Sequence, residues 1–115
     1  MNQPREIKFR IWDGTEFYFA STSDLLHGYP LTEASCFSGN LKFQEFVGLL
    51  DKNSKEIYEG DIIFVDELLW EVTFRLGAFM VIPIEDEKKQ GDYGLLYEYY
   101  KDCSVEGNIF ENKQP

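Results

Sequence analysis

Apolar and polar side chains alternate in the first part of the chain. Apolar residues hold every second position, at Ile7, Phe9 and Ile11. Basic residues hold the positions between them, at Lys8 and Arg10. A period of two residues is typical of a half-buried strand. Asp13 and Gly14 favour a tight turn, and residues 16–20 have the composition of a returning strand, so the pattern predicts a hairpin.

The second half of the chain repeats this organisation. A β-branched run at residues 62–65 predicts a buried strand. Residues 70–76 then alternate between apolar and polar side chains, Gly77 favours a turn, and residues 79–82 are again apolar. Pro83 marks the end of this strand, because proline cannot donate a backbone hydrogen bond to a neighbour. These features predict a second hairpin.

The intervening segments are patterned more weakly. Residues 21–41 predict mostly loop, with one helical turn from Thr22 to His27. A strand is expected to begin near Lys42 and to run to Val47. A last strand is predicted from Val105 to Phe110.

Residues 92–103 fit two local structures. A short helix with Asp92 as its N-cap would place four side chains on one stripe, at Leu96, Tyr99, Tyr100 and Cys103. A strand would instead place Leu95, Tyr97 and Tyr99 on one side. We favour the helix.

Short strands separated by turn residues are typical of antiparallel barrels and sandwiches. The chain has 115 residues, of which 43% are hydrophobic, and this supplies one core. Ten Phe and seven Tyr suit pleated surfaces better than long helices. We therefore predict one mainly β domain over residues 1–115, a small antiparallel barrel or sandwich with one or two short helices.

The cysteine content and the hydropathy predict a cytoplasmic protein without a membrane segment. Cys36 and Cys103 are the two cysteines, and no secretory segment precedes Arg5. Two free thiols in a reducing compartment are therefore expected rather than a disulfide framework. No apolar run approaches the roughly 18 residues that a membrane helix needs.

The charge is acidic and uneven. The net charge is −10, and residues 58–115 hold five Lys or Arg against thirteen Asp or Glu. This balance predicts that the protein is not a general nucleic-acid binder, since such binding depends on cations that neutralise phosphates. The excess favours solubility, and the alternative is an acidic face that mimics DNA and binds a basic host protein. Candidate interaction residues are the acidic loop Glu85, Asp86 and Glu87, and a basic strip of Arg5, Lys8 and Arg10 beside Trp12 on which bases could stack.

The sequence contains no complete motif for calcium binding or for nucleophilic catalysis. Residues 51–55 start like a calcium loop, but Lys55 stands at a ligand position and Glu56 replaces the required Gly. The single histidine, His27, has no base–nucleophile pattern around it. We therefore predict no catalytic, cofactor-binding or metal-binding residue. The remaining enzymatic alternative is a metal-dependent hydrolase or nuclease that would use the carboxylates Glu56, Glu59 and Asp61.

Four stretches together resemble the YopX family of small bacteriophage and prophage proteins: residues 5–14, 47–62, 77–79 and 107–112. The sequence departs from the family at Ser54, where members typically have Gly. The family motifs consist mainly of turn residues and strand starters, so we interpret them as structural: Asp13, Gly14, Gly48, Asp51, Asn53, Gly60, Asp61, Gly77, Gly107 and Asn108. The resemblance implies a mainly β fold, a phage or prophage origin, a cytoplasmic setting in a bacterial host and no established enzymatic role.

A second likeness concerns the fold alone. Residues 59–62, followed by a strand, a Gly turn and Phe79, are similar to the strands of SH3-like small barrels, and such a likeness assigns no function. The leading hypothesis is a non-enzymatic binding or accessory protein that acts on a host or phage macromolecule. The generous aromatic content is also compatible with a homo-oligomer.

Overall fold

The computed structural model describes residues 7–29, 41–84 and 94–111. The predictions for Arg5, Cys36, Asp92 and the acidic loop 85–87 lie outside these residues. Within them, all strand pairs are antiparallel. The strands are β1 (Lys8–Trp12), β2 (Phe17–Ser21), β3 (Lys42–Leu50), β4 (Glu56–Tyr58), β5 (Asp61–Val65), β6 (Leu68–Arg75), β7 (Ala78–Pro83), β8 (Gly94–Leu95) and β9 (Ser104–Asn108).

The first sheet has the strand order β2-β1-β3-β4. Its predicted hairpin is confirmed, with Trp12 paired to Phe17 across the turn. The Asp13 Oδ1 accepts the N–H groups of Thr15 at 2.8 Å and Glu16 at 2.9 Å. Such a side chain satisfies the turn's donors locally, which is why Asp favours this position.

Strand β3 is longer than predicted and reaches Leu50 instead of Val47. Its register against β4 shifts between Phe46 and Leu50, around Gly48. A β-bulge lets a strand continue past an irregular residue, and the prediction ended the strand too early for that reason. The helical turn is confirmed as α1 (Thr22–Leu26), which Ser21 caps.

The second sheet has the strand order β8-β7-β6-β5-β9. The predicted hairpin is confirmed by β6 and β7, which are joined by Leu76 and Gly77. A further tight turn at Asp66 and Glu67 joins β5 to β6, and both residues have positive φ. The sequence did not predict this turn, because Asp-Glu is not a typical pair for two consecutive positive φ angles.

The two sheets share one core. Val47 and Ile57 from the first sheet are buried with side chains of the second, including Ile63, Val72 and Val81. The prediction of a mainly β fold is confirmed. Among the described strands no pairing closes the two sheets into a barrel, so the sandwich alternative describes the architecture better.

The prediction of a helix over residues 92–103 is wrong, because only one short helical turn forms in the part of this segment that the structure describes. Gly94 and Leu95 form β8 against β7, and one 3₁₀ turn follows at Leu96–Glu98. Consecutive turns then carry the chain to Cys103. Leu96 and Cys103 are fully buried, as the stripe predicted. Turns reproduce the spacing of a helical stripe without forming a helix, because they also return to one side every three or four residues.

Candidate functional site

A cleft of about 470 Å³ lies between the first hairpin and strands β4 and β9. Strand β2 contributes Phe17 and Phe19, and β4 contributes Tyr58. Successive side chains on a strand point to opposite faces, so Phe17 and Phe19 share the face that turns to the cleft. Its charged lining residues are four carboxylates and two cations: Glu16, Glu56, Asp61, Glu111, Arg10 and Lys55.

The Arg10 guanidinium is buried at the base of this cleft, with 6% of the residue exposed. It lies between two aromatic rings, 4.7 Å from the centroid of Phe17 and 4.9 Å from that of Tyr58. Its Nη1 is 2.7 Å from the Asp61 Oδ1, and its Nε donates to the Gln44 Oε1 at 2.7 Å. Charge, hydrogen bonding and stacking therefore all fix this side chain in one position.

Asp61 is the acidic partner, and it is only 1% exposed. Its Oδ2 accepts the backbone N–H of Tyr58 at 2.7 Å. Burial raises the pKa of the Asp61 carboxyl, and the Arg10 guanidinium opposes this shift. The carboxyl closes the turn between β4 and β5 and at the same time compensates a buried cation.

The Tyr58 hydroxyl lines the cleft as a hydrogen-bond donor. It donates to the Glu56 Oε1 at 3.1 Å. Burial raises the pKa of Tyr58, and the neighbouring Glu56 carboxylate raises it further. The hydroxyl therefore stays protonated at neutral pH.

Two carboxylates of the cleft are held in place by neighbours. Glu56 forms an ion pair with Lys8. The Asn108 Nδ2 donates to the Glu111 Oε1 at 2.6 Å, and the Asn108 Oδ1 accepts the backbone N–H of Phe110 and of Glu111, both at 2.9 Å. Asn108 is only 4% exposed, so this carboxylate is supported from the protein interior.

Phe19 is the exposed aromatic ring of the site, with 56% of the residue accessible. Its ring meets Tyr58 edge-on at 5.9 Å and Phe17 at 6.4 Å. In the hairpin register Phe19 lies directly opposite Arg10. The ring thus extends the internal cluster of aromatic side chains out to the solvent.

The basic strip expected on β1 does not form an exposed surface in the described residues. Arg10 is buried against Asp61, and Lys8 is paired with Glu56. Trp12 stacks on Phe110 at 5.8 Å. The alternation suggested a solvent-facing side for β1, but β4 and β5 supply carboxylates to that side, and the turn at residues 109–111 places Phe110 against Trp12.

Three exposed acidic residues of the second half lie near the two ends of β5. Asp66 and Glu67 lie in the turn after β5. Glu111 follows β9, whose Asn108 pairs with Asp61 at the opposite end of β5. The length of β5 therefore separates these carboxylates, and the DNA-mimic alternative stays a prediction.

The three carboxylates of the enzymatic alternative also diverge. Glu56 and Asp61 line the large cleft, whereas Glu59 lines a smaller one of about 260 Å³. Among residues 7–29, 41–84 and 94–111, no three His, Cys, Asp or Glu side chains are grouped so that they could hold a metal ion.

Neither Cys103 nor His27 lines the cleft. Cys103 is fully buried, and burial raises the pKa of its thiol to about 11. His27 is exposed beside α1, where its Nδ1 lies 2.8 Å from the Ser23 carbonyl oxygen.

Most of the motif residues interpreted as structural lie in turns or at register shifts, and Asp61 and Asn108 pair at the ends of β5 and β9. The Asp51 carboxylate accepts three backbone N–H groups, from Asn53 and Lys55 at 2.8 Å and from Val105 at 2.9 Å. Gly107 lies at a shift in the β5–β9 register. Gly14, Gly60 and Gly77 all have positive φ.

The sequence did not predict the aromatic lining of the cleft. Phe17, Phe19 and Tyr58 were indistinguishable there from core residues. One signal was present, since the turn at Asp13 and Gly14 fixes the hairpin register and so places Phe19 opposite Arg10. The contribution of Tyr58 depends on how β4 packs, which short-range patterns do not encode.

Comparison with known proteins identifies a family match for the chain. The family model described as YopX protein matches residues 10–114, nearly the whole chain. Compared with curated proteins, the sequence has no significant match. In the described parts of the chain no helix has the length and apolar character needed to cross a membrane.

Proposed function

The chain belongs to the YopX family, and on that premise we propose that it is a non-enzymatic binding protein whose cleft holds part of a host or phage macromolecule. The cleft carries this proposal. Its volume of about 470 Å³ falls within the range of protein ligand sites, and its mouth exposes an aromatic ring. Exposed aromatic side chains beside fixed polar groups are common anchors of binding surfaces.

The state of the polar groups supports binding rather than catalysis. Arg10 and Asp61 neutralise each other, and Tyr58 keeps its proton. A general acid or base needs a pKa near the working pH and access to a substrate. Charged groups that stabilise one another instead give the cleft a rigid shape, which lowers the entropic cost of binding.

The proposed setting is the cytoplasm of a bacterial host of a phage or prophage. The partner is a host or phage protein in this proposal. A second copy of the same chain is the simplest alternative occupant, and it would be detected as self-association in the absence of any other protein.

Affinity capture with matched variants tests the proposal. Phe19→Ala removes the exposed ring of the cleft, and Phe74→Ala removes a ring of similar exposure, 52%, from the β6–β7 hairpin, which does not line the cleft. We expect the wild type and Phe74→Ala to recover the same host or phage protein, and Phe19→Ala to recover at most a tenth as much. Recovery of nothing above background at low and at physiological salt would contradict the proposal, as would equal recovery by all three proteins.

A further inference from the structure

Resting on the proposed function, we propose that the cleft recognises an arginine side chain of the partner polypeptide. The occupant is a planar cation that stacks on Phe19 and forms hydrogen bonds to the carboxylates at the mouth. Its identity follows from the charge of the lining, from the exposed ring and from the way in which the protein binds its own Arg10.

The charge of the cleft selects for a cation. The charges of Arg10 and Asp61 cancel each other at the base of the cleft. Of the other charged lining residues, Glu56 is paired with Lys8. Glu16 and Glu111 are acidic and Lys55 is basic, so the lining keeps a net negative charge. The whole chain carries a net charge of −10. An anionic ligand would therefore be repelled, and a cationic one would be attracted over a distance of several ångströms.

The interior of the site shows how a guanidinium fits these rings. Arg10 lies 4.7 Å from Phe17 and 4.9 Å from Tyr58, with its charge against a carboxylate. Phe19 is two residues from Phe17 on the same face of β2, and its ring is exposed. A second guanidinium can lie over this ring as the Arg10 guanidinium lies over Phe17 and Tyr58.

One carboxylate of the mouth is prepared for such a ligand. Glu111 is held by the buried amide of Asn108 at 2.6 Å, and so its position is set before a ligand arrives. Carboxylates accept two parallel hydrogen bonds from guanidinium, which ammonium cannot supply in that geometry. Arginine also stacks on aromatic rings through its planar group, and both features favour it over lysine.

Titration with short peptides, followed by amide NMR spectra, tests this inference. The probes are acetylated, amidated Gly-Arg-Gly and its counterpart with citrulline, which has nearly the same shape and no charge. A single side chain should bind with a Kd on the order of 1 mM. We expect saturable shifts confined to residues 15–19, 55–61 and 105–111, at least fivefold weaker binding of the citrulline peptide, and severalfold weaker binding at high salt.

Variants connect the binding to the named side chains. Phe19→Ala and Glu111→Gln should each weaken binding of the arginine peptide by about fivefold or more, in line with the loss of roughly 1 kcal/mol. Phe74→Ala should leave it unchanged. Equal binding of the citrulline peptide, equal binding of a Gly-Lys-Gly peptide, or shifts outside the cleft would each overturn the arginine assignment.

Failure of this inference is separable from failure of the proposed function. If the arginine peptide causes no shift while Phe19→Ala still abolishes capture of the partner, the cleft is a binding site for another chemistry and the arginine inference alone is wrong. If Phe19→Ala captures the partner as well as the wild type does, the proposed function fails, whatever the peptides show.

Discussion

The Arg10 guanidinium and the Asp61 carboxylate form an ion pair that links the two sheets at the base of the cleft. The distance from Nη1 to Oδ1 is 2.7 Å, and the side chains are 8% and 1% exposed. Arg10 belongs to β1 of the first sheet, and Asp61 begins β5 of the second. The pair therefore couples the stability of the fold to the shape of the proposed binding site.

Loss of either partner of this pair should destabilise the protein strongly. In Asp61→Asn the Arg10 charge stays buried without compensation, and in Arg10→Met the Asp61 charge does. We expect each variant to lose about 3–5 kcal/mol in the free energy of unfolding, measured in urea. The double variant should lose clearly less than the sum of the two.

The Lys8–Glu56 pair is the control for that prediction. Its side chains are 22% and 39% exposed, so solvent screens the interaction. Lys8→Met should cost no more than about 1 kcal/mol. Similar losses for Lys8→Met and Arg10→Met would contradict the special role of the buried pair.

Gly60→Ala should destabilise the turn that carries the chain from one sheet to the other. Gly60 has φ +88°, and a Cβ there would lie 1.7 Å from the Gln44 Nε2. Gln44 would have to move and would release its hydrogen bond to Arg10. We expect a loss of about 2–3 kcal/mol in urea unfolding.

Gly77→Ala separates the cost of backbone strain from the cost of displacing Gln44. Gly77 has φ +81°, but a Cβ there would meet nothing within 4 Å. Its replacement should cost only about 1 kcal/mol, from backbone strain. If both variants lost the same free energy of unfolding, the close approach of Gln44 to Gly60 would make no contribution to stability.

Ser54→Gly should stabilise the protein. Ser54 has φ 64° in the exposed turn between β3 and β4, a conformation that glycine adopts without strain. We expect a gain of about 0.5–1 kcal/mol and a higher Tm. Asn53→Gly in the same turn is the control, because Asn53 does not have positive φ and should gain nothing. A gain at position 53 but not at position 54 would refute the strain argument.

The Asp51 carboxylate should make stability depend on acidic pH. Burial alone would raise its pKa, but the backbone N–H groups of Val105, Lys55 and Asn53 together lower the pKa below its ordinary value of 3.8. A group with a lowered pKa contributes stability above its unfolded-state pKa and loses it as the pH falls through the folded-state pKa. The contribution of Asp51 is therefore complete near neutral pH and is lost progressively as the pH falls below about 4.

Comparison with Asp51→Asn measures that contribution. At pH 7 the free energy of unfolding of the variant should be about 2 kcal/mol lower than that of the wild type. This difference should shrink as the pH is lowered from about 4 to about 2. Asp102→Asn, an exposed substitution, should change stability by less than about 0.5 kcal/mol. A difference between wild type and Asp51→Asn that is independent of pH would contradict the role of the carboxylate.

The locally encoded parts of the fold were predictable from the sequence. Asp13 and Gly14 predicted the first hairpin correctly because their turn chemistry acts within four residues. Gly77 and the alternation before it predicted the second. Asp66 and Glu67 adopt a tight turn that their own preferences do not signal, so the β5–β6 connection was missed.

The candidate site was much less predictable. Arg10 sits at a polar position in an alternating strand, which indicated exposure. It is buried because Asp61, far along the chain, supplies the opposite charge. Tyr58 reaches the cleft only through the packing of β4. Contacts between residues that are far apart in the sequence produce no periodic pattern, so they could not be predicted from one sequence.

Site-specific photo-crosslinking in bacterial cells tests most directly whether the cleft is the binding surface. A photoreactive benzoylphenylalanine replaces Phe19 in one protein and Phe74 in another, since both rings are exposed to a similar extent and each meets one neighbour edge-on. We predict a discrete covalent adduct with one host or phage protein from position 19 and none from position 74. An adduct from position 74 alone, or none from either position, would contradict the assignment of function to this cleft.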